Sequence, residues 1–174
     1  DYITKIGKRH NRKWPPLSLL NCATILNNSG FRAEIIDANA LELNSEEVVK
    51  AALKYEKIFV TSSSLDRWQC PNLDVKPVEQ ILEKIGSREV YLIGAHGSLM
   101  PQYFLNKFNL KAVIIGEPEM TVKEICENKE IFDIQGVVYK HRQKIIANKP
   151  RNLIDLNDLP VPDFSLLPLK KYSY

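Results

Sequence analysis

The sequence predicts an α/β fold of three layers, with helices packed on both faces of a doubly wound parallel sheet. Three observations carry this. Helix-like and strand-like segments alternate from Pro15 to Ile115, the signature of crossover units. The strand-like segments, such as Lys57–Thr61 and Ala112–Ile115, are short and apolar, as strands covered on both faces are. The chain has 174 residues, 44% of them hydrophobic and 26% charged, enough for one domain with an ordinary core and too apolar for disorder.

The elements follow in order. Pro15-Pro16 opens a helix whose apolar positions Leu19, Leu20, Ala23 and Leu26 recur at spacings of three and four, and Asn27-Asn28-Ser29-Gly30 ends it. Phe31–Ile36 reads as a strand. Asn44 with Glu47 forms a capping-box start for a helix carrying Val48, Val49, Ala52 and Leu53. Lys57–Thr61 is a strand, Val75–Ile85 a helix burying Val78, Ile81, Leu82 and Ile85, Val90–Ile93 a strand and Gln102–Lys107 a shorter helix. Ala112–Ile115 is the last parallel strand and Glu119–Glu127 the last crossover helix. Beyond it, Gly136–Tyr139 and Lys144–Ala147 flank a polar turn and read as a β-hairpin. From Lys149 the four prolines Pro150, Pro160, Pro162 and Pro168 suit an extended arm. The expected division is therefore an α/β domain over 1–135, a hairpin appendage over 136–148 and a linker over 149–174. An apolar opening strand is missing or degenerate, because Tyr2–Ile6 makes a poor buried strand, and the chain reads as an excised piece of a longer protein.

Composition narrows the function. No apolar run reaches membrane-spanning length, and no signal peptide is visible, which makes the cytoplasm the default. Cys22, Cys70 and Cys126 are odd in number and widely spaced, which fits reduced thiols and neither a disulfide framework nor a zinc ribbon. The formal net charge is +3, and the excess is N-terminal: residues 2–33 hold Lys5, Lys8, Arg9, Arg12, Lys13 and Arg32 with no acid. The run from Lys8 to Trp14 offers cations to phosphates, but without a reader motif a solvated loop is favoured and nucleic acid disfavoured.

In open parallel sheets ligands sit beyond the carboxyl ends of the strands. Three loops meet that description. Ser62, Ser63 and Ser64 follow the first apolar strand; Gly94, His96, Gly97 and Ser98 follow the second; Gly116, Glu117 and Glu119 follow the third. Small residues let a large ligand approach the backbone, and hydroxyls and amides supply hydrogen bonds without bulk. Each loop also has a plain reading. Serine and glycine suit any strand-to-helix turn, His96 suits a structural hydrogen bond, and carboxylates at a helix start answer the dipole. There is no phosphate loop, GxGxxG, GxSxG or CxxxCxxC, which removes ordinary nucleotide, serine-hydrolase and cluster-binding readings. Neither a catalytic nor a metal-ligating set emerges.

Read in order, the motifs resemble the cobalamin-binding domain at the N-terminus of many radical S-adenosylmethionine enzymes. Pro15-Pro16-Leu17-Ser18-Leu19-Leu20 matches the family's PPLGL, Gly30–Ala38 its GYEVEVIDA strand, and Thr61–Ser64 its small-residue loop. Gly94–Ser98 matches its GxH loop, Ile115–Glu119 its IGEGE turn, and Leu159-Pro160-Val161-Pro162 through Leu166-Leu167-Pro168 its LPxP…LLP linker. The resemblance covers Pro15 to Tyr172. It implies a flavodoxin-like (Rossmann-like) domain that docks the corrin on its three carboxyl-edge loops and continues into a radical domain holding S-adenosylmethionine and a 4Fe-4S cluster. The corrin and that C-terminal domain are then its partners, and the piece alone is catalytically inert. The DxHxxG motif of cobalamin mutases is absent, so His96 is not assigned to cobalt, and Pro118 stands where the family commonly has glycine. The alternative is a non-catalytic module of the same fold that binds a protein or RNA through its basic N-terminal segment.

Overall fold

The structure, a computed structural model, describes residues 13–61, 66–67, 70–71, 75–86 and 88–172. Helix α1 spans Leu17–Asn28. Gly30, at φ +86°, ends it in the left-handed region, and the Phe31 amide reaches back to the Leu26 carbonyl at 3.0 Å. A short turn α2 (Ala38–Leu41) follows, capped by the Asp37 carboxylate, which accepts from the Ala40 amide. Helix α3 (Ser45–Ala52) starts with the reciprocal capping box of Asn44 and Glu47.

Strands β1 (Lys57–Thr61), β2 (Glu89–Ile93) and β3 (Ala112–Ile114) are parallel, with Phe59 opposite Tyr91 and Leu92 opposite Val113. Helices α4 (Lys76–Lys84), α5 (Ala95–Leu99), α6 (Pro101–Lys107) and α7 (Glu119–Cys126) fill the connections. Between β1 and α4, Asp66–Arg67 and Cys70–Pro71 pair as a two-residue antiparallel ladder.

The hairpin β4 (Val137–His141) and β5 (Lys144–Ala147) forms as expected but does not stand beside the sheet. Val137 and Val138 pair antiparallel with Ile114 and Val113, so the five strands lie in chain order, three parallel and two antiparallel. The reason is in the side chains: Val137, Val138 and Tyr139 are all buried, Val138 on one face of the sheet and its two neighbours on the other. A second difference concerns Phe31–Ile36, which is not a strand; it pairs with no neighbour in either sheet.

The two faces carry two cores. Val90, Leu92 and Val113 pack with Val49, Val78, Leu82 and Phe104 from α3, α4 and α6. Tyr91, Ile93, Ala112 and Ile114 pack with Cys22, Leu26, Val122 and Ile125 from α1 and α7. This alternation along β2 and β3 makes the fold three-layered. Each fully buried Leu or Ile contributes about 1.5–3 kcal/mol before the entropy of ordering is subtracted.

The segment after β5 is extended as expected, interrupted by single 3₁₀ turns at Leu156–Asp158, Phe164–Leu166 and Leu169–Lys171. It is tied down along its length. Arg151 donates to Thr121 Oγ1 at 2.9 Å and pairs with Glu124, and the Asp163 amide donates to Thr24 Oγ1 at 3.0 Å. Tyr172 donates its phenol to Asp37 at 2.6 Å. Among the described residues no helix is long and apolar enough to cross a membrane.

Candidate functional site

At the carboxyl edge one residue separates β2 from α5 and four separate β3 from α7, and these two short connections build the site. After Ile93, Gly94 turns at φ +95° and α5 starts at once. A Cβ on Gly97 would lie 3.1 Å from Val113 Cγ1 and 3.2 Å from Leu92, so the glycine lets α5 sit directly on the sheet. Its neighbour His96 also turns inward and is 6% exposed. Gly97 and His96 are therefore the floor beneath the loop. Ser98 faces the other way, where its hydroxyl accepts from the Gly116 amide at 3.2 Å and ties the second loop to the third.

The third loop leaves β3 through Ile115, whose amide donates to the Gly136 carbonyl at 2.8 Å. Gly116 takes φ +77°, a conformation a side chain resists, and open space lies in front of it. Pro118 then caps α7, and Glu119 occupies its first turn, buried to 7% exposure, where the helix dipole favours a carboxylate. Asn21 of α1 donates to Glu119 at 3.5 Å, while the exposed Glu117 accepts from the Ile154 amide at 3.3 Å.

These residues enclose a cleft of about 450 Å³. Of the residues singled out in the sequence, Gly94, Ser98, Gly116, Glu117 and Glu119 line it, and His96 and Gly97 are buried and do not. Ser62, Ser63 and Ser64 fall outside the described residues. Four further lining residues escape a reading based on strand ends alone. Ser18 and Asn21 come from α1, and Leu156 and Leu159 come from the arm, which forms the outer wall. Ser18 had a signal: it occupies the glycine position of PPLGL.

Neither Cys22 nor Cys126 is a nucleophile at neutral pH. Burial, reinforced by Glu119, pushes the Cys22 thiol far up, and burial raises Cys126 to about 11, so neither is a thiolate at neutral pH. Among the described residues, no three His, Cys, Asp or Glu side chains converge where a metal ion would sit. What the cleft offers is hydroxyl, carboxamide and carboxylate groups around glycines, one wall of leucines, and an open mouth. A broad ligand edged with amides fits this donor set, since its rim can bond without side-chain bulk holding it off.

No protein-family model matches the chain. Among curated proteins it is 26% identical over 140 residues to a Methanocaldococcus jannaschii protein named as a methylthiotransferase, covering 79% of this chain and 28% of that protein. It is 23% identical over 189 residues to an anaerobic magnesium-protoporphyrin IX monomethyl ester cyclase of Synechocystis, covering 97% of this chain and 35% of the cyclase. Among solved structures, OxsB, a cobalamin-dependent S-adenosylmethionine radical enzyme with aqua-cobalamin and S-adenosylmethionine bound, superposes with a TM-score of 0.75 at 17% identity, over 95% of this chain and 24% of OxsB. TsrM from Kitasatospora setae, a radical S-adenosylmethionine methyltransferase with cobalamin and a [4Fe-4S] cluster bound, gives a TM-score of 0.61 at 19% identity, over 84% of this chain and 28% of TsrM. The chain thus shares its fold with cobalamin-dependent radical enzymes, as the motif resemblance implies, and spans only about a quarter to a third of the proteins it matches.

Proposed function

We propose that this chain is the cobalamin-binding portion of a radical S-adenosylmethionine enzyme, and that it positions a corrin for chemistry completed by another part of the parent. The observation that carries the reading is the convergence of Gly94, Ser98, Gly116 and Glu117 on one cleft, in a fold shared with enzymes solved with cobalamin bound. When bound, the cobalamin would supply an organometallic centre suited to methyl transfer. This chain's own residues bind and orient. Ser18, Asn21 and Ser98 present hydrogen-bonding groups to the corrin rim, Gly94 and Gly116 hold their turns open to it, and Leu156 and Leu159 exclude water along one side. Glu119, fixed by Asn21, orders the mouth of the cleft. No residue here is assigned as an axial cobalt ligand. The S-adenosylmethionine and 4Fe-4S cluster belong to the parent's radical domain, which is the proposed protein partner.

The module reading, based on the basic N-terminal segment, gains no support from the part that is described. Lys13 is committed internally, to Glu42 at 2.6 Å and to the Ala40 carbonyl at 3.4 Å.

Titration with hydroxocobalamin, followed through the visible spectrum, tests the proposal. We expect saturable one-to-one binding, weakened at least about tenfold by Ser18→Trp, which fills the cleft from α1. No spectral change at any cobalamin concentration, or identical affinity in Ser18→Trp, would refute it.

A further inference from the structure

The arm joins the body at a cluster outside the lining of the cleft. Arg151 is half-buried there: its Nε donates to Thr121 Oγ1 at 2.9 Å, and its Nη2 pairs with Glu124. Thr121 has no exposed surface and donates in turn to the Gln135 carbonyl at 3.3 Å, while Lys129 holds the other oxygen of Glu124 at 3.0 Å. Gly136 makes room for the arginine stem, since a Cβ on it would come within 3.3 Å of Arg151 Cβ. The Gly136 amide donates to the Lys149 carbonyl at 2.9 Å, and the Gly136 carbonyl accepts from the Ile115 amide at 2.8 Å. The root of the arm is therefore continuous, through Gly136, with the third loop of the cleft.

Beyond Arg151 the attachment thins. Among the described residues, 152–162 make one hydrogen bond to the body, from the Ile154 amide to Glu117 at 3.3 Å, before the Asp163 amide reaches Thr24 Oγ1 at 3.0 Å. The other bonds of this stretch are its own, such as those from the Asp158 amide to the Asp155 carbonyl and from the Leu159 amide to the Leu156 carbonyl. Leu156 is 77% exposed although it lines the cleft, and Val161 is 87% exposed. Ordering a chain that buries so little of its own apolar surface costs entropy with little return in folding. What the arginine cluster does fix is where Leu156 and Leu159 stand relative to the cleft.

We propose that Arg151 is a positioning residue for the cleft: it sets the root of a strap, residues 152–162, whose Leu156 and Leu159 close on a ligand held by the second and third loops. The inference rests on the cobalamin reading and adds to it the feature that governs release. A guanidinium suits the role because its planar fork bonds Thr121 and Glu124 at once and so fixes the direction in which the chain leaves, which an ammonium does not. Closure buries Leu156 against the ligand, so the strap acts on escape rather than on entry.

Stopped-flow binding of hydroxocobalamin and amide exchange in the same protein test this. Arg151→Ala should speed release at least about tenfold with the association rate unchanged. Arg151→Lys, which keeps a charge beside Glu124 but not the fork, should not restore slow release. Val78→Ala, in the core on the other face of the sheet from α7, lowers the melting midpoint and should leave release unchanged, which separates positioning from general destabilisation. Bound hydroxocobalamin should slow exchange of the Asp158 and Leu159 amides at least about tenfold, and without it both should exchange faster than the Asp163 amide. Native-like release in Arg151→Ala or Arg151→Lys, equally fast release in Val78→Ala, or no protection of Asp158 and Leu159 in the bound protein would overturn the proposal. If Arg151→Ala fails to fold, Leu156→Ala, which removes an exposed side chain, carries the same expectation for release. No binding by the native chain would remove this proposal together with the cofactor reading, whereas binding without these effects would remove this proposal alone.

Discussion

β1 and β2 are neighbours of five residues each, paired in register from Lys57–Glu89 to Thr61–Ile93, and they live in different environments. In β2, Val90, Leu92 and Ile93 are wholly buried; in β1, Ile58 is buried while Phe59 and Val60 stay half-buried. Composition does not explain this, since KIFVT is as apolar as EVYLI. The difference is a neighbour. β2 has a strand on each side and a helical layer on each face, whereas β1, among the described residues, pairs with β2 alone. Burial of a parallel strand is thus a property of its two flanks as much as of its own side chains.

The largest expected effect sharpens that contrast directly. Leu92→Ala removes a side chain with no exposed surface from between α4, α6 and the sheet, and should cost about 2–5 kcal/mol. Val60→Ala, in the register position beside Leu92, should cost less than about 1 kcal/mol, because its side chain is partly hydrated already. Urea unfolding of both variants checks this. Equal losses would mean that the β1 flank is packed as tightly as the sheet centre and would break the comparison.

A smaller effect probes the opposite, crowded flank. Gly97→Val places branches where even a Cβ meets Val113 and Leu92 at 3.1–3.2 Å, so α5 must lift or the core must shift, at about 1–3 kcal/mol. The same change should also loosen the Ser98–Gly116 bond that joins two loops of the cleft. A thermal melt and the exchange rate of the Gly116 amide read the two consequences. If stability fell while the Gly116 amide stayed protected, floor and cleft would be independent of each other.

How much of this was legible in the sequence depends on which forces each element obeys. Helices α1, α3, α4 and α7 were readable because their apolar spacing, caps and prolines are local. The Asn44–Glu47 capping box needs only four residues to be seen. Phe31–Ile36 misled because its composition is that of a strand, while strandhood needs a hydrogen-bonding partner that no local pattern reports. The hairpin was legible as a hairpin but not as an extension of the sheet, since that depends on Val137 and Val138 finding Val113 and Ile114 across the intervening α7. At the candidate site, the rule that ligands sit at strand ends picks out Gly94, Ser98, Gly116, Glu117 and Glu119, which share one cleft. Asn21, Leu156 and Leu159 reach the cleft from a helix face and from a distant arm, and only tertiary packing brings them there. The same packing turns His96 and Gly97 inward.

The smallest effect concerns the arm's last fixed point, which fastens it to the start of α2. Tyr172 donates to Asp37, the residue that caps α2. Burial, and then the bond to the Asp37 carboxylate, raise the phenol above its ordinary value of 10.0. The sign follows. A group whose folded pKa is raised contributes stability that is fully present below its unfolded value and is lost as pH rises through the folded value. Tyr172→Phe should therefore cost about 1 kcal/mol or less at neutral pH, the worth of one partly exposed hydrogen bond. The difference between the two proteins should hold up to about pH 9 and shrink in more alkaline solution, as the phenol ionises in the unfolded chain while the folded chain still holds its proton. Unfolding free energies of both across that range check the slope. A difference that grew with pH would mean that the Tyr172 phenolate is stabilised in the folded chain, and that a cation rather than Asp37 governs it.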